Sequence, residues 1–261
     1  MTAVLEAAAP RALPGGAAVR LTGVTKVFAS GPRQVTALES VDLTVHPGEF
    51  LTVVGASGCG KSTMLNVIAG LERPTAGRVE VAGRVAFMFQ DATLFPWLTA
   101  RQNVEVALRL RGLPRRLRRA RAEELLDVVR LGPAQDKRPH ELSGGMRQRV
   151  ALARVLAQDA SVVLMDEPLG ALDAMTRDHM HGELERVWSE LGLTVLFVTH
   201  NMREAVRLGD RVVLMASSPG RVKLEQAVDL PRPRVIDSAE VAMLAGSLTD
   251  ELRAEVAAHV R

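Results

Sequence analysis

The sequence predicts an α/β fold built on a largely parallel sheet, and three observations carry that reading. An apolar run, Phe50-Leu51-Thr52-Val53-Val54, feeds the loop Gly55-Ala56-Ser57-Gly58-Cys59-Gly60-Lys61-Ser62-Thr63, which opens onto a second apolar run at 64–69. Three further short apolar runs, at 161–165, 194–198 and 211–215, each follow a helical segment, the alternation that yields parallel strands joined by helices. Between 91 and about 158 strand signals vanish and helical periodicity takes over, clearest at 123–129, so a helical insertion is expected there.

The loop after the first of these strands matches G-x-x-x-x-G-K-[ST] in the strand–loop–helix context that makes the pattern meaningful. Its glycines let successive N–H groups curl inward as an anion nest, and the start of the following helix adds partial positive charge. Lys61 is placed to reach the β- and γ-phosphates, and the Ser62 hydroxyl to ligate Mg²⁺. Residues 55–63 are therefore expected to bind a nucleoside triphosphate.

Taken in order, residues 1–18 are rich in Ala, Pro and Gly and lack a basic segment followed by an apolar block, which reads as a disordered tail rather than a signal peptide. Residues 19–28 and 41–45 alternate as half-buried strands, joined through the turn-rich Ala29-Ser30-Gly31-Pro32. His46-Pro47-Gly48-Glu49 turns the chain into the central strand, Arg73-Pro74-Thr75-Ala76-Gly77 breaks the first helix, and 78–81 and 85–89 read as two more strands. The main domain is expected to span 19–230, followed by a helical tail at 231–261. In that tail Val241, Leu244, Leu248, Leu252 and Val256 share one face, which predicts packing on the body, with Asp237 or Ser238 as the N-cap.

At 261 residues the chain can bury a sizeable core, and its 47% apolar and 24% charged residues are ordinary for a globular protein. The net charge of +3 is too small to argue for nucleic acid. The single cysteine, Cys59, excludes an internal disulfide and fits a reducing compartment. A small spacer in the loop is its expected role, although helix starts do activate thiols. No run approaches the ~18 apolar residues of a membrane span, so an intracellular protein is expected, with any membrane association coming through a partner. Seven arginines (109, 111, 115, 116, 118, 119 and 121) fall within thirteen residues. Contact with nucleic acid or anionic lipid is one reading; a solvated face balanced by Glu123, Glu124 and Asp127 is the one adopted, because no aromatics interleave to stack bases.

Two further stretches carry chemistry. Residues 162–167 form an apolar run ending in Asp166 and Glu167. Strand alternation would point these side chains apart, leaving Asp166 for Mg²⁺ and Glu167 to polarise an attacking water. Leu142-Ser143-Gly144-Gly145-Met146-Arg147-Gln148 places a hydroxyl and two flexible N–H groups at a helix start, a second anion nest.

Together these residues resemble an ATP-binding-cassette (ABC) ATPase. Residues 55–63 look like its Walker A loop, 142–148 its signature and 162–167 its Walker B strand, in family order over about 19–230. The resemblance implies a P-loop NTPase core with an antiparallel β subdomain and an inserted helical subdomain, hydrolysing ATP with Mg²⁺. It also implies a head-to-tail dimer in which Ser143, Gly144 and Gly145 of one subunit close over the ATP held by the loop of the other. A homodimer is the simplest closed form, a paired ATPase subunit being the variant. By the same resemblance Phe28 stacks on adenine, and Gln90 touches Mg²⁺ and the attacking water, with Ser62 and Asp166 as the other metal ligands. Asp173, in Leu169-Gly170-Ala171-Leu172-Asp173, faces the partner subunit, and His200 senses the γ-phosphate. Asn201 departs from the family's usual Asp. His179 and His181, two apart in an expected helix, face different ways, which argues against a metal site.

The stretches 91–99, 166–177 and 218–222 resemble the ATPase subunits of bacterial nitrate/sulfonate/taurine-type importers. That likeness implies a peripheral subunit on the cytoplasmic face of the membrane, bound to a transmembrane permease and indirectly to an extracytoplasmic solute-binding protein. Phe95, Pro96 and Trp97 are the candidates for the permease contact, the alternative being that Trp97 packs inside the insertion. A different class, a non-transport ABC ATPase acting on nucleic acid, would need a long coiled coil between Lys61 and Ser143. Only 82 positions separate them, so no nucleic-acid partner is expected.

Overall fold

A computed structural model describes residues 13, 16–30, 33–217 and 219–259. Gly31 and Pro32 of the expected turn, Ser218, and most of the 1–18 tail lie outside them. Contacts divide the chain into a helical unit, 84–192, and a strand-rich unit made of 13–83 with 193–259.

In the strand-rich unit β1 (Val19–Ser30) pairs antiparallel with β2 (Arg33–Val45) on one side and β4 (Ala76–Val81) on the other. The chain packs slightly before β1: Ala17 and Ala18 are fully buried and the Ala18 N–H donates to the Val45 carbonyl at 2.8 Å. These two small residues are thus a correction to the tail expected through residue 18. Strand β2 begins at Arg33, well before the expected residue 41; Ser40 sits at φ 46° and the register with β1 shifts along its length, irregularity that erases the alternation by which a strand is read.

A second sheet in this unit places β3 (Phe50–Gly55) parallel to both β7 (Thr194–Thr199) and β8 (Arg211–Ala216). All six residues of β3 and all six of β7 are buried, as expected for a parallel sheet covered on both faces. The one polar group inside β3, the Thr52 hydroxyl, is satisfied by the Ala205 and Arg211 carbonyls, both at 3.2 Å. β9 (Arg221–Ala227) adds antiparallel to β8, exposed and half-buried residues alternating along it. It went unrecognised in the sequence because its outward residues, such as Arg221, Lys223 and Glu225, read as surface loop.

Helix α1 (Lys61–Ile68) follows β3, α6 (Met202–Leu208) follows β7, and α7 (Ala239–His259) ends the described chain. Val241, Ala245 and Leu248 of α7 are buried with Ala205, Val206, Val212 and Leu214, and Leu244 and Leu252 pack at the edge. The tail helix therefore packs as its periodicity indicated; the side chain of Val256 lies outside the described residues. Ser238 is the cap, its Oγ accepting the Val241 N–H at 3.3 Å. Just before it, the buried Arg234 guanidinium donates to the carbonyls of Val206 (2.8 Å), Gly209 (2.5 Å) and Val228 (3.0 Å), closing off the end of α6.

The helical unit has its own parallel pair, β5 (Val85–Met88) with β6 (Val162–Asp166). Helices α2 (Ala100–Leu110), α3 (Arg115–Val128) and α4 (Gly144–Leu156) bury Val104 and Leu108, Leu125 and Leu126, and Val150 and Leu152 respectively. The helical stretch expected at 91–158 lies inside this unit, which also includes β5, β6 and α5 (Ala174–Leu191). A capping box between Thr99 and Gln102 starts α2, and Gly112 at φ 91° followed by Pro114 turns the chain into α3.

Candidate functional site

The loop at 55–63 is shaped by backbone that only glycine adopts freely. Gly58 and Gly60 have φ of 78° and 92°. A methyl on Gly60 would lie 2.6 Å from the Ala37 carbonyl, and one on Gly55 2.6 Å from Cys59 Sγ. Cys59 is completely buried under the curl, which makes it the spacer expected rather than an accessible thiol. Lys61 is folded inside as well, only 7% exposed, its Nζ donating to the carbonyls of Gly55 (2.9 Å) and Ala56 (3.0 Å). No side chain caps α1. Its opening N–H groups have no intrahelical acceptor, an arrangement that suits an anion, and Ser57 and Ser62 are exposed beside them.

Within the helical unit Asp166 ends β6, half-buried, and Glu167 follows at φ 45°. The expectation that strand alternation separates the two carboxylates needs correcting. Glu167 lies beyond the strand, and a left-handed turn, not the pleat, sets its direction. The Gly170 N–H donates to the Glu167 carbonyl at 3.0 Å and closes that turn. A methyl on Gly170 would come within 3.3 Å of Gln90 Nε2 and 3.8 Å of Glu167 Oε2, so this glycine gathers the amide and the carboxylate over one spot. Gln148, on α4, holds the strand end in place by donating to the Gln90 carbonyl at 2.7 Å. Sequence reading missed this role, since nothing local links positions 90 and 148.

Ser143 caps α4, its Oγ accepting the Met146 N–H at 3.3 Å. Gly145 is buried against α5, where a methyl would strike Thr176 at 2.4 Å. The two helix starts border an open hollow of about 460 Å³ lined by Ser143, Gly145, Arg149, Met175, Thr176 and His179. Asp173 caps α5 and accepts the Thr176 N–H at 3.0 Å. The Thr176 side chain, then its N–H, hold the exposed Asp173 carboxyl below the usual carboxylate range. His179 is exposed and His181 buried, as their spacing indicated, and among the described residues no cluster of His, Cys, Asp and Glu could hold a metal.

In the strand-rich unit His200 directly follows β7 and is exposed. Asn201 next to it caps α6, its Oδ1 accepting the N–H groups of Arg203 (3.0 Å) and Glu204 (3.3 Å). The departure from Asp at this position therefore leaves the cap intact. Thr199 braces the same turn: its hydroxyl donates to the buried Glu204 carboxylate and accepts the Asn201 N–H at 3.0 Å. Phe28 is 38% exposed, not part of the core, with Lys26 Nζ 4.7 Å from its ring centroid.

Trp97 is 67% exposed, its ring tilted against Phe95 at 5.7 Å between centroids, so it does not pack inside the insertion. Buried Asn103 fixes this segment: its Oδ1 accepts the Phe95 N–H at 2.8 Å and its Nδ2 donates to the Thr99 carbonyl at 3.0 Å. Arg154 lies over the Phe95 ring at 5.6 Å and donates to the Thr93 carbonyl at 2.9 Å. Burial pushes its guanidinium pKa down. A hollow of about 510 Å³ opens here, lined by Arg84, Phe95, Val106, Leu110, Arg111 and Arg154. Asn103 and Arg154 had no signal in the sequence beyond being polar residues on apolar helix faces.

Comparison with known proteins places these features in company. The ABC transporter family matches over residues 38–170. The chain is 47% identical to the taurine import ATP-binding protein of Burkholderia pseudomallei over 217 residues, covering 80% of this chain and 84% of that one. It is 44% identical to the aliphatic sulfonates import ATP-binding protein of Bacillus licheniformis, with the same coverage. Among solved structures, an ATP-binding cassette captured as a dimer in a post-hydrolysis state with ADP and Pi superposes with a TM-score of 0.71 at 36% identity, covering 82% of this chain and 100% of that one.

Proposed function

Since the chain belongs to the ABC transporter family of ATP-binding proteins, we propose that it is the ATP-hydrolysing subunit of an importer for a taurine-, sulfonate- or nitrate-like solute. The observation that carries this is the phosphate loop, where an uncapped α1 and the enclosed Lys61 offer a ready seat for a triphosphate. In the reading proposed, Gly55 to Thr63 hold the phosphates of ATP and Phe28 stacks on its adenine. Glu167 accepts a proton from the attacking water while Gln90 and His200 orient it. Ser62, Asp166 and Gln90 offer a hydroxyl, a carboxylate and an amide oxygen, hard donors of the kind Mg²⁺ takes. The ion, when bound, offsets phosphate charge.

Ser143, Gly144 and Gly145 of a second copy would complete the pocket by presenting the start of α4 to the γ-phosphate, with Asp173 near the seam. ATP binding then draws two copies together, and hydrolysis releases them. The aromatic segment at 95–97 and the adjacent hollow receive a segment of the membrane permease, placing the protein on the cytoplasmic face of the membrane as a peripheral subunit. Among the described residues no helix is long and apolar enough to cross a bilayer.

Two measurements test this. Lys61→Ala should weaken equilibrium ATP binding by about tenfold or more, the loss of a charge-assisted contact. From detergent-solubilised membranes the tagged protein should co-purify with a multi-span permease, and Trp97→Ala should lower the yield. Retained nucleotide affinity in Lys61→Ala, or co-purification with nucleic acid instead of a permease, would overturn the reading.

A further inference from the structure

The turn between α2 and α3 carries an imbalance that the ATPase reading does not use. Seven arginines and no acidic residue occupy 109–121. Part of this charge is neutralised within the fold, as the sequence suggested. Arg111 pairs with Asp159, Arg119 with Glu123 at 3.0 Å and Arg121 with Glu124 at 2.7 Å, while Arg118 Nε donates to the Leu113 carbonyl at 2.7 Å. Arg109, Arg115 and Arg116 are different: all three are exposed and have no side-chain partner among the described residues.

The arrangement is unfavourable for the helix on its own. Arg115 and Arg119 stand one turn apart with like charge, and α3 opens on cations, without an acidic residue in its first turn, where the macrodipole favours acids. Interleaved with them, Leu110 and Leu117 are 83% and 47% exposed. The turn is held firmly. Gly112 donates to the Arg109 carbonyl at 2.9 Å, Leu113 to the Leu108 carbonyl at 3.0 Å and Leu117 to the Pro114 carbonyl at 2.9 Å. The patch is therefore presented by a closed turn, not a loose loop.

We propose that this turn is a membrane-surface contact, with Arg109, Arg115 and Arg116 on anionic phospholipid headgroups and Leu110 and Leu117 entering the boundary beneath them. An anionic bilayer takes both features, offering negative charge at the headgroups and hydrocarbon beneath them. Nucleic acid would use the charge but not the leucines, and no aromatic stands in the run to stack on bases. Leu110 and Arg111 also line the hollow assigned to the permease. The placement of the patch beside a permease rests on that assignment, whereas its affinity for lipid does not.

The test uses the full-length protein and sucrose-loaded vesicles without any permease. Vesicles of phosphatidylcholine with about one third phosphatidylglycerol should sediment the protein, pure phosphatidylcholine should not, and about 0.5 M salt should release it. Arg115→Glu with Arg116→Glu should lower partitioning about thirtyfold or more, from the worth of each basic residue near an anionic surface. Arg115→Lys with Arg116→Lys should retain binding, and Leu117→Ser should lower it severalfold at fixed salt. Neither arginine has a partner inside the fold, and the thermal transition of each variant checks that the fold survives. No binding of the wild type, equal binding to neutral vesicles, an unaffected reversal variant, or displacement of the protein from vesicles by a DNA duplex would each overturn the proposal. None of these outcomes bears on permease capture in detergent, where no bilayer is present.

Discussion

Glu167 sits in a left-handed backbone, φ 45°, that costs a residue with a Cβ about 1–2 kcal/mol. Strain of this kind persists when surrounding contacts impose it, and it is common where a side chain must be aimed. Here it turns the carboxylate out of line with β6 and toward the Gln90 amide over Gly170. Glu167→Gln keeps shape and backbone while removing the proposed base. Turnover of ATP should fall about 10²–10⁴-fold with nucleotide affinity retained, and an ATP-loaded dimer should accumulate on gel filtration. Unchanged turnover would remove Glu167 from the chemistry. Gly170→Ala tests the convergence itself. Its methyl would press on Gln90 Nε2 at 3.3 Å while meeting the Glu167 carbonyl and carboxylate at ordinary contact distances of 3.4 and 3.8 Å, enough to shift the amide by a few tenths of an ångström without unfolding the turn. A fall in kcat with KM for ATP and the melting transition unchanged is expected; equal loss of stability and activity would make Gly170 merely structural.

At the scale of elements, helix starts recur at the places where chemistry is expected. α1 opens uncapped on the glycine-rich loop, α4 on Ser143, α5 on Asp173 and α6 on Asn201. Asn201 is the informative one, since it replaces the residue its family usually has. Asn and Asp cap about equally well, and Ala lacks the acceptor. Asn201→Asp should therefore lie within about 0.5 kcal/mol of the wild type in urea unfolding, and Asn201→Ala should lose about 1 kcal/mol. A large loss in Asn201→Asp would mean that the added charge next to His200, not the cap, governs this turn. The starts of α1 and α4 were legible in the sequence, because a glycine-rich loop and Ser143-Gly144-Gly145 precede apolar runs; the caps at Asp173 and Asn201 emerge only in the fold. Also legible were β3, β6, β7 and β8, whose burial on both faces leaves continuous apolar stretches. The strand β9 was not, since an edge strand with charged outer residues carries the composition of a loop. Nor were Gln148 and Arg154, because each acts on backbone that only folding brings near, nor Asn103, whose partners lie in the irregular turn just before α2. The direction of Glu167 was misjudged for a related reason: alternation holds only while the strand lasts.

At the scale of the whole molecule, the arrangement of anion-seeking elements argues for two copies acting together. One chain has one lysine-bearing loop and one Ser-Gly-Gly start, and a head-to-tail pair with two-fold symmetry uses each element twice. This predicts complementation between two inactive variants. Lys61→Ala disables the loop. Ser143→Asp keeps α4 capped, since Asp is as good an N-cap as Ser, but sets a carboxylate against the γ-phosphate. Each variant alone has both of its pockets spoiled. In a mixed dimer the two lesions fall in the same pocket, and the other pocket combines an intact loop from one copy with an intact Ser-Gly-Gly from the other. In an equal mixture half of the dimers are mixed, with one sound pocket of two, so ATPase activity should return to about a quarter of the wild-type value. A mixture as inactive as its components would mean that each chain completes its own pocket, and the signature would then need another role.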